Sequence, residues 1–264
     1  MDLRVANERV YAYTGGKPFD PALPALVFIH GGELDHSVWT LQSRYFAHHG
    51  RAVLAVDLPG HGRSGGAPLA SIAAMADWIA AVLDAAGAGS AALIGHSMGS
   101  LVALDCAARH PERATRIALL GTAFPMGVSP ELLDATKARE PEAQRMINVW
   151  SHAAYAHYPG NPGPGSWVIG GSLRLMQRQK PGVLHADFAA CDGYRDGLAR
   201  AAQLKCPALF LLGRLDAMTP ARAGRDLASA VPNAVVKILA DSGHNLMGEK
   251  PDEVLDALVE FLNA

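Results

Sequence analysis

At 264 residues, half of them hydrophobic, the chain is long enough to bury the core of one large domain. Its 23 Lys and Arg against 25 Asp and Glu leave a formal net charge of −2, which supplies neither a basic face for nucleic acid nor a polybasic membrane anchor. The three cysteines, Cys106, Cys191 and Cys206, are odd in number and form no C-x-x-C pair, so reduced, buried thiols in a cytoplasmic protein are expected instead of a disulfide framework.

Met1–Glu8 lacks the apolar core of a signal peptide. Strands are expected at 3–6 and 9–14, joined too tightly for a crossover and therefore forming an antiparallel hairpin. A strand at 25–30, a helix at 38–48 and a strand at 52–57 follow. The helix at 69–86 holds an apolar stretch, Ile72 to Leu83, but Asp77 interrupts it and Asp84 bounds it, so it reads as amphipathic and not as a membrane span. Next come a strand at 91–96, a helix at 98–109 and a strand at 116–121. After a long interruption, strands at 207–213 and 234–240 alternate with helices at 220–230 and 251–262. Such alternation implies an α/β fold with a mostly parallel sheet of roughly eight strands and helices on both faces, because parallel crossovers need a covering helix.

The interruption divides the chain into a core, 1–121 and 204–264, and an inserted helical cap, 122–203. Within it, Pro130-Glu131-Leu132-Leu133 and Pro141-Glu142-Ala143-Gln144 look like helix starts with proline in the first turn. Pro159 to Gly165 is nearly all turn formers, a lip or a rigid connector. A cap roofs a site with apolar walls that exclude water and select substrate. Phe124, Trp150, Trp167, Met176 and Phe188 are candidates for those walls, each also readable as ordinary packing.

The stretch Gly95-His96-Ser97-Met98-Gly99 joins the apolar run Ala91–Ile94 directly to a helix, which makes it a nucleophile elbow. Ser97 then sits on a tight turn at a helix N-terminus, where unpaired N–H groups favour developing negative charge. A serine needs a base, and the base needs an orienting acid, in the chain order acid then histidine. Asp216 lies just past the strand ending at Gly213, and His244 just past the strand ending at Ala240. Asp216 also reads as a helix-capping residue, but the alternative acid position, Gly121-Thr122-Ala123, holds no carboxylate. Asp241 reads as a turn former and His96 as a packed structural residue. The backbone N–H of Met98, and that of Gly32 in the glycine loop after the strand at 25–30, are the expected oxyanion donors.

His30-Gly31 followed by Trp39, the turn Asp57-Leu58-Pro59-Gly60-His61-Gly62-Arg63-Ser64, the elbow at Ser97, Gly213-Arg214-Leu215-Asp216 and Gly243-His244 occur in one order over most of the chain. The set resembles the α/β-hydrolases of the compact kind that includes carboxylesterases, enol-lactonases and cofactor-free haloperoxidases. The resemblance implies the α/β-hydrolase fold, structural roles for Trp39 and the Asp57–Ser64 turn, and a serine hydrolase cleaving small or medium carboxylic esters through an acyl-enzyme at Ser97. Ser97 departs from the dehalogenase and epoxide hydrolase pattern, which carries Asp there, and the two-glycine loop departs from hormone-sensitive-lipase relatives. Glu33 and Asp35 beside that loop read as solvated charges. The same triad would serve lactone opening, carbon–carbon bond hydrolysis or perhydrolysis, and the family also includes ligand receptors. No His/Cys cluster suggests a metal, and no G-x-G-x-x-G follows a strand to bind a dinucleotide, so no cofactor is expected. The partner implied is a small-molecule ester; neither nucleic acid nor membrane is implied, and nothing in the sequence sets the oligomeric state.

Overall fold

The central apolar runs become strands covered on both faces, while the first and last strands of the sheet stay partly exposed. The computed structural model describes residues 1–157 and 167–264, so the turn-rich run Pro159 to Gly165 lies outside the described residues. The strands are β1 (Asp2–Val5), β2 (Glu8–Tyr13), β3 (Ala25–Ile29), β4 (Ala52–Val56), β5 (Ala91–His96), β6 (Ala114–Leu120), β7 (Ala208–Gly213) and β8 (Val235–Leu239). They form one sheet in the order β1-β2-β4-β3-β5-β6-β7-β8. β1 and β2 are an antiparallel hairpin, β2 joins β4 antiparallel, and every pairing from β4 to β8 is parallel.

The helices outside the insertion are α1 (Thr40–His48), α2 (Ile72–Ala86), α3 (Met98–Arg109), α9 (Ala221–Ala228), α10 (Leu246–Glu249) and α11 (Pro251–Asn263), and those within it are α4 (Pro130–Ala138), α5 (Glu140–Trp150), α6 (Val168–Met176), α7 (Val183–Gly193) and α8 (Gly197–Ala202). Pro130, Pro141 and Pro251 occupy first-turn positions of α4, α5 and α11, where the missing N–H costs nothing. Side chains alternate across the sheet. Val27 and Ile29 pack with Ile79 and Leu101 on one face, while Leu26 and Phe28 pack with Trp39, Phe46 and Leu258 on the other. The inserted helices carry their own small core of Leu132, Ala135, Ala143, Ile147, Met176 and Leu184, which touches Leu34 and Met218 of the sheet's loops. Among the described residues, no helix is long and apolar enough to cross a membrane.

The chain leaves β3 toward β4 on one side and returns to β5 on the other. The loops following β3 and β5 therefore diverge, and a crevice opens between them at the carboxyl ends of the strands. That topology, set by strand order, is what positions the site.

Candidate active site

Ser97 is held in a backbone conformation that few residues other than glycine adopt, φ 52° and ψ −121°, at the N-terminus of α3. Its own N–H donates to the Leu120 carbonyl at 2.9 Å, and its carbonyl accepts from the Ser100 N–H at 2.8 Å. The elbow closes only because its neighbours are glycines. A Cβ on Gly95 would run into the Gly99 carbonyl, and one on Gly99 into the carbonyls of Ile29 and His30. The Ser97 hydroxyl makes no hydrogen bond among the described residues and faces a cavity of about 600 Å³.

His244 lines the same cavity and Asp216 lies behind it; both are buried. His244 Nδ1 donates to Asp216 Oδ2 at 2.8 Å. The remaining valences of the carboxylate are filled. Oδ1 accepts from the N–H groups of Met218 and Thr219 at 2.8 and 2.7 Å, and Oδ2 accepts from the Thr219 hydroxyl at 2.7 Å. Burial works to raise the Asp216 carboxyl, but His244 and the Thr219 donors outweigh it and hold it below the usual carboxylate range, so it stays ionised. No hydrogen bond joins Ser97 to His244 among the described residues; such contacts commonly tighten only with substrate in place.

The backbone of His244 is fixed from two sides. His96 Nε2 donates to the His244 carbonyl at 2.8 Å, so His96 supports the loop without facing it as a base. Burial lowers His96 to about 3, and the nearby His244 adds to the shift, which keeps the ring neutral. Glu249 Oε2 accepts from the Gly243 N–H at 3.0 Å and from the Ala153 N–H of the insertion at 3.3 Å. The Asn245 N–H donates to the Ser151 carbonyl at 2.9 Å, a second tie between the histidine loop and the insertion.

The Gly32 amide is set by the peptide group to which it belongs. The Gly31 carbonyl accepts from His30 Nδ1 at 2.8 Å and from the Leu34 N–H at 3.3 Å. In a trans peptide the N–H points opposite to the carbonyl, so these bonds aim the Gly32 N–H. His30 Nε2 accepts from the Leu58 N–H at 3.1 Å, which fixes the tautomer, and burial lowers the ring to about 4 so that it stays neutral. Gly31 and Gly32 both line the cavity beside Ser97. The Gly32 N–H finds no acceptor among the described residues. Met98, the first residue of α3, has an N–H with no intrahelical partner.

Of the candidate wall residues, Trp167, Met176 and Phe188 line the cavity, together with Leu34, Ile147 and Met218. Phe124 and Trp150 do not. Phe124 stacks edge-on against Tyr194 and covers Gly197, and Trp150 points outward at the end of α5. Glu33 and Asp35 depart furthest from expectation, since neither is solvated: both are buried, because the insertion packs over them. Asp35 Oδ2 accepts from Arg178 at 2.8 Å, and Glu33 Oε1 accepts from Gln144 at 2.6 Å. Asp35, His36 and Asp57 bring ligand-type atoms within 4.8 Å of one another, but their oxygens already accept from Ser37, Arg178, His36 and Arg63, so the group knits the loops together.

Burial pushes Glu33 up to about 8, Gln144 opposing and the charges of Glu140 and Asp187 adding to the rise. Between the ordinary glutamate value and about 8 the folded chain holds a proton that the unfolded chain has released, so this residue's contribution to stability falls as pH rises across that interval. Glu33→Gln removes the cost while keeping the bond from Gln144. At pH 8.5 it is expected to raise Tm by about 2 °C or more, equivalent to at least about 1 kcal/mol, with the gap closing toward pH 5. Thermal unfolding of both proteins at the two pH values checks it.

An elbow serine, a histidine bonded to a buried aspartate and paired free amides, at a switch point of a mostly parallel sheet, define a class of protein. The sequence profile described as alpha/beta hydrolase fold matches residues 24–251, and the chain belongs to that family. It is 30% identical over 252 residues to the pimeloyl-(acyl-carrier protein) methyl ester esterase of Chromobacterium violaceum, spanning 90% of this chain and 94% of that protein. It is 28% identical over 265 residues to a 2-hydroxy-6-oxononadienedioate/2-hydroxy-6-oxononatrienedioate hydrolase of Burkholderia vietnamiensis, spanning 90% of this chain and 86% of that one. The enol-lactonase of Burkholderia xenovorans LB400 shares the fold, with a TM-score of 0.86, 24% identity and all of both chains covered.

The residues that the sequence did not single out are Thr219, Glu249 and Asp187, while His61 was named only as part of a structural turn. Asp187 carried one readable signal: it is the lone carboxylate on the helix face shared by Val183, Leu184, Ala190 and Cys191.

Proposed function

We propose that this hydrolase cleaves carboxylic esters of small or medium size through an acyl-enzyme at Ser97. His244 takes the proton of the Ser97 hydroxyl as the oxygen attacks the ester carbonyl, and Asp216 holds the imidazole in the tautomer whose Nε2 is free to accept. The Met98 and Gly32 amides receive the oxyanion. His244 returns its proton to the leaving alcohol, then activates a water that frees the acyl group. Residues 122–203 act as the cap, and their apolar side chains wall the acyl site.

The observation that carries this reading is the occupied carboxylate of Asp216, whose one imidazole contact among the described residues is His244 at 2.8 Å, behind a cavity that also holds Ser97. The relative from Chromobacterium violaceum is a methyl ester esterase by name, which supports an ester substrate. A panel of p-nitrophenyl esters of graded acyl length, run beside lactones and a dienone acid, tests it. Ester turnover with an optimum at short or medium acyl chains is expected. Turnover of a lactone or the dienone acid with no ester cleavage would replace the ester reading, and ligand-induced stabilisation without turnover of any substrate would point to a receptor.

A further inference from the structure

We propose that Asp187, on α7 of the insertion, is a positioning residue that clamps the proposed oxyanion loop from the cap side. The inference rests on the reading of Gly32 as an oxyanion donor.

Asp187 is fully buried and lies 154 residues along the chain from the amide it holds. Its Oδ2 accepts from the Glu33 N–H at 2.8 Å and from His61 Nε2 at 2.7 Å. The other nitrogen of His61 faces the Pro59 carbonyl at 3.0 Å. Both ring nitrogens thus meet oxygen acceptors, so the ring carries both protons and pairs with Asp187 as an imidazolium. Burial opposes that charge, but the Asp187 carboxylate outweighs it and raises His61 above the ordinary histidine value. The clamp acts on a strained spot. Glu33 has φ 54°, a left-handed conformation that persists only where surroundings impose it. Asp187 pins the Glu33 amide and Gln144 pins its carboxyl, both from the insertion.

Gly32 is consequently gripped on both flanks. The peptide before it is set by His30 and Leu34, and the peptide after it by Asp187. A Cβ on Gly32 would lie 3.3 Å from the Phe188 ring and 3.4 Å from the Asp187 Cβ, so α7 packs directly on this loop. Asp187 does not line the cavity, so it acts through Gly32 and not on substrate. The insertion is then a brace for the catalytic loop as well as a roof.

The test compares wild type, Asp187→Ala and Asp187→Asn on a p-nitrophenyl ester, with a trifluoromethyl ketone as the tetrahedral-adduct probe. Asp187→Ala frees the Glu33 amide, and kcat is expected to fall about 100-fold, the scale of one lost oxyanion donor, with KM within about 3-fold. Affinity for the ketone should fall in parallel, which a merely structural role would not require. Asp187→Asn should recover kcat to within about 10-fold, because its amide oxygen, set where Oδ2 now stands, accepts from both the Glu33 N–H and the His61 Nε2–H, while the NH2 takes the place of Oδ1, which bonds to nothing among the described residues. If Asp187→Ala yields no folded protein, Asp187→Glu replaces it: charge is kept, the acceptor moves by one methylene, and the same loss in kcat is expected. A folded Asp187→Ala or Asp187→Glu with wild-type kcat and ketone affinity, or an Asp187→Asn no better than Asp187→Ala, overturns the clamp alone. A wild type that turns over no ester overturns the ester reading, and the clamp with it.

Discussion

Asp216→Asn is expected to lower kcat about 10⁴-fold while leaving fold and KM nearly unchanged. The direction follows from which oxygen does what. Oδ1 accepts two backbone N–H bonds, from Met218 and Thr219, so an asparagine must keep its carbonyl oxygen there. Its NH2 then takes the Oδ2 position and donates to His244 Nδ1, where the carboxylate now accepts. The ring is driven to the tautomer protonated at Nε2, which cannot take a proton from Ser97. Steady-state kinetics with a p-nitrophenyl ester, beside thermal unfolding, would detect the loss. Near-wild-type kcat would remove Asp216 from the relay.

Ser97→Ala is expected to lose on the order of 10⁴–10⁶ in kcat. The fold should be spared, because the hydroxyl has no hydrogen-bond partner among the described residues and alanine carries the same backbone strain at φ 52°. The elbow itself is held by backbone bonds from Ser97 to Leu120 and Ser100, which the substitution keeps. A fluorophosphonate should label the wild type at Ser97 and leave the variant unlabelled; peptide mapping of an adduct at another residue would reassign the nucleophile.

The fold was legible because its signals are local. Each parallel strand is an apolar run ending in glycine, histidine or a turn, and each run became a strand to within about two residues. Ser97, Asp216 and His244 could be picked out as candidates for the same reason, since Ser97 follows such a run directly and the other two stand in the short loops after β7 and β8. Among the inserted helices, Pro130 and Pro141 announced two starts, but which way an aromatic faces depends on helices with no sequence-adjacent partner. Trp167 and Phe188 turned to the cavity, and Phe124 and Trp150 turned from it.

By itself the sequence determined the sheet, its covering helices, the strained turn at Ser97 and the order of acid and histidine, because hydrophobic period and glycine placement act within a few residues. Only the tertiary structure decided the electrostatics around the glycine loop. Glu33 and Asp35 meet Gln144 and Arg178 across 111 and 143 residues, and Asp187 reaches Glu33 across 154. A carboxylate's burial and pairing depend on what folds over it, and here that cover comes from helices far along the chain.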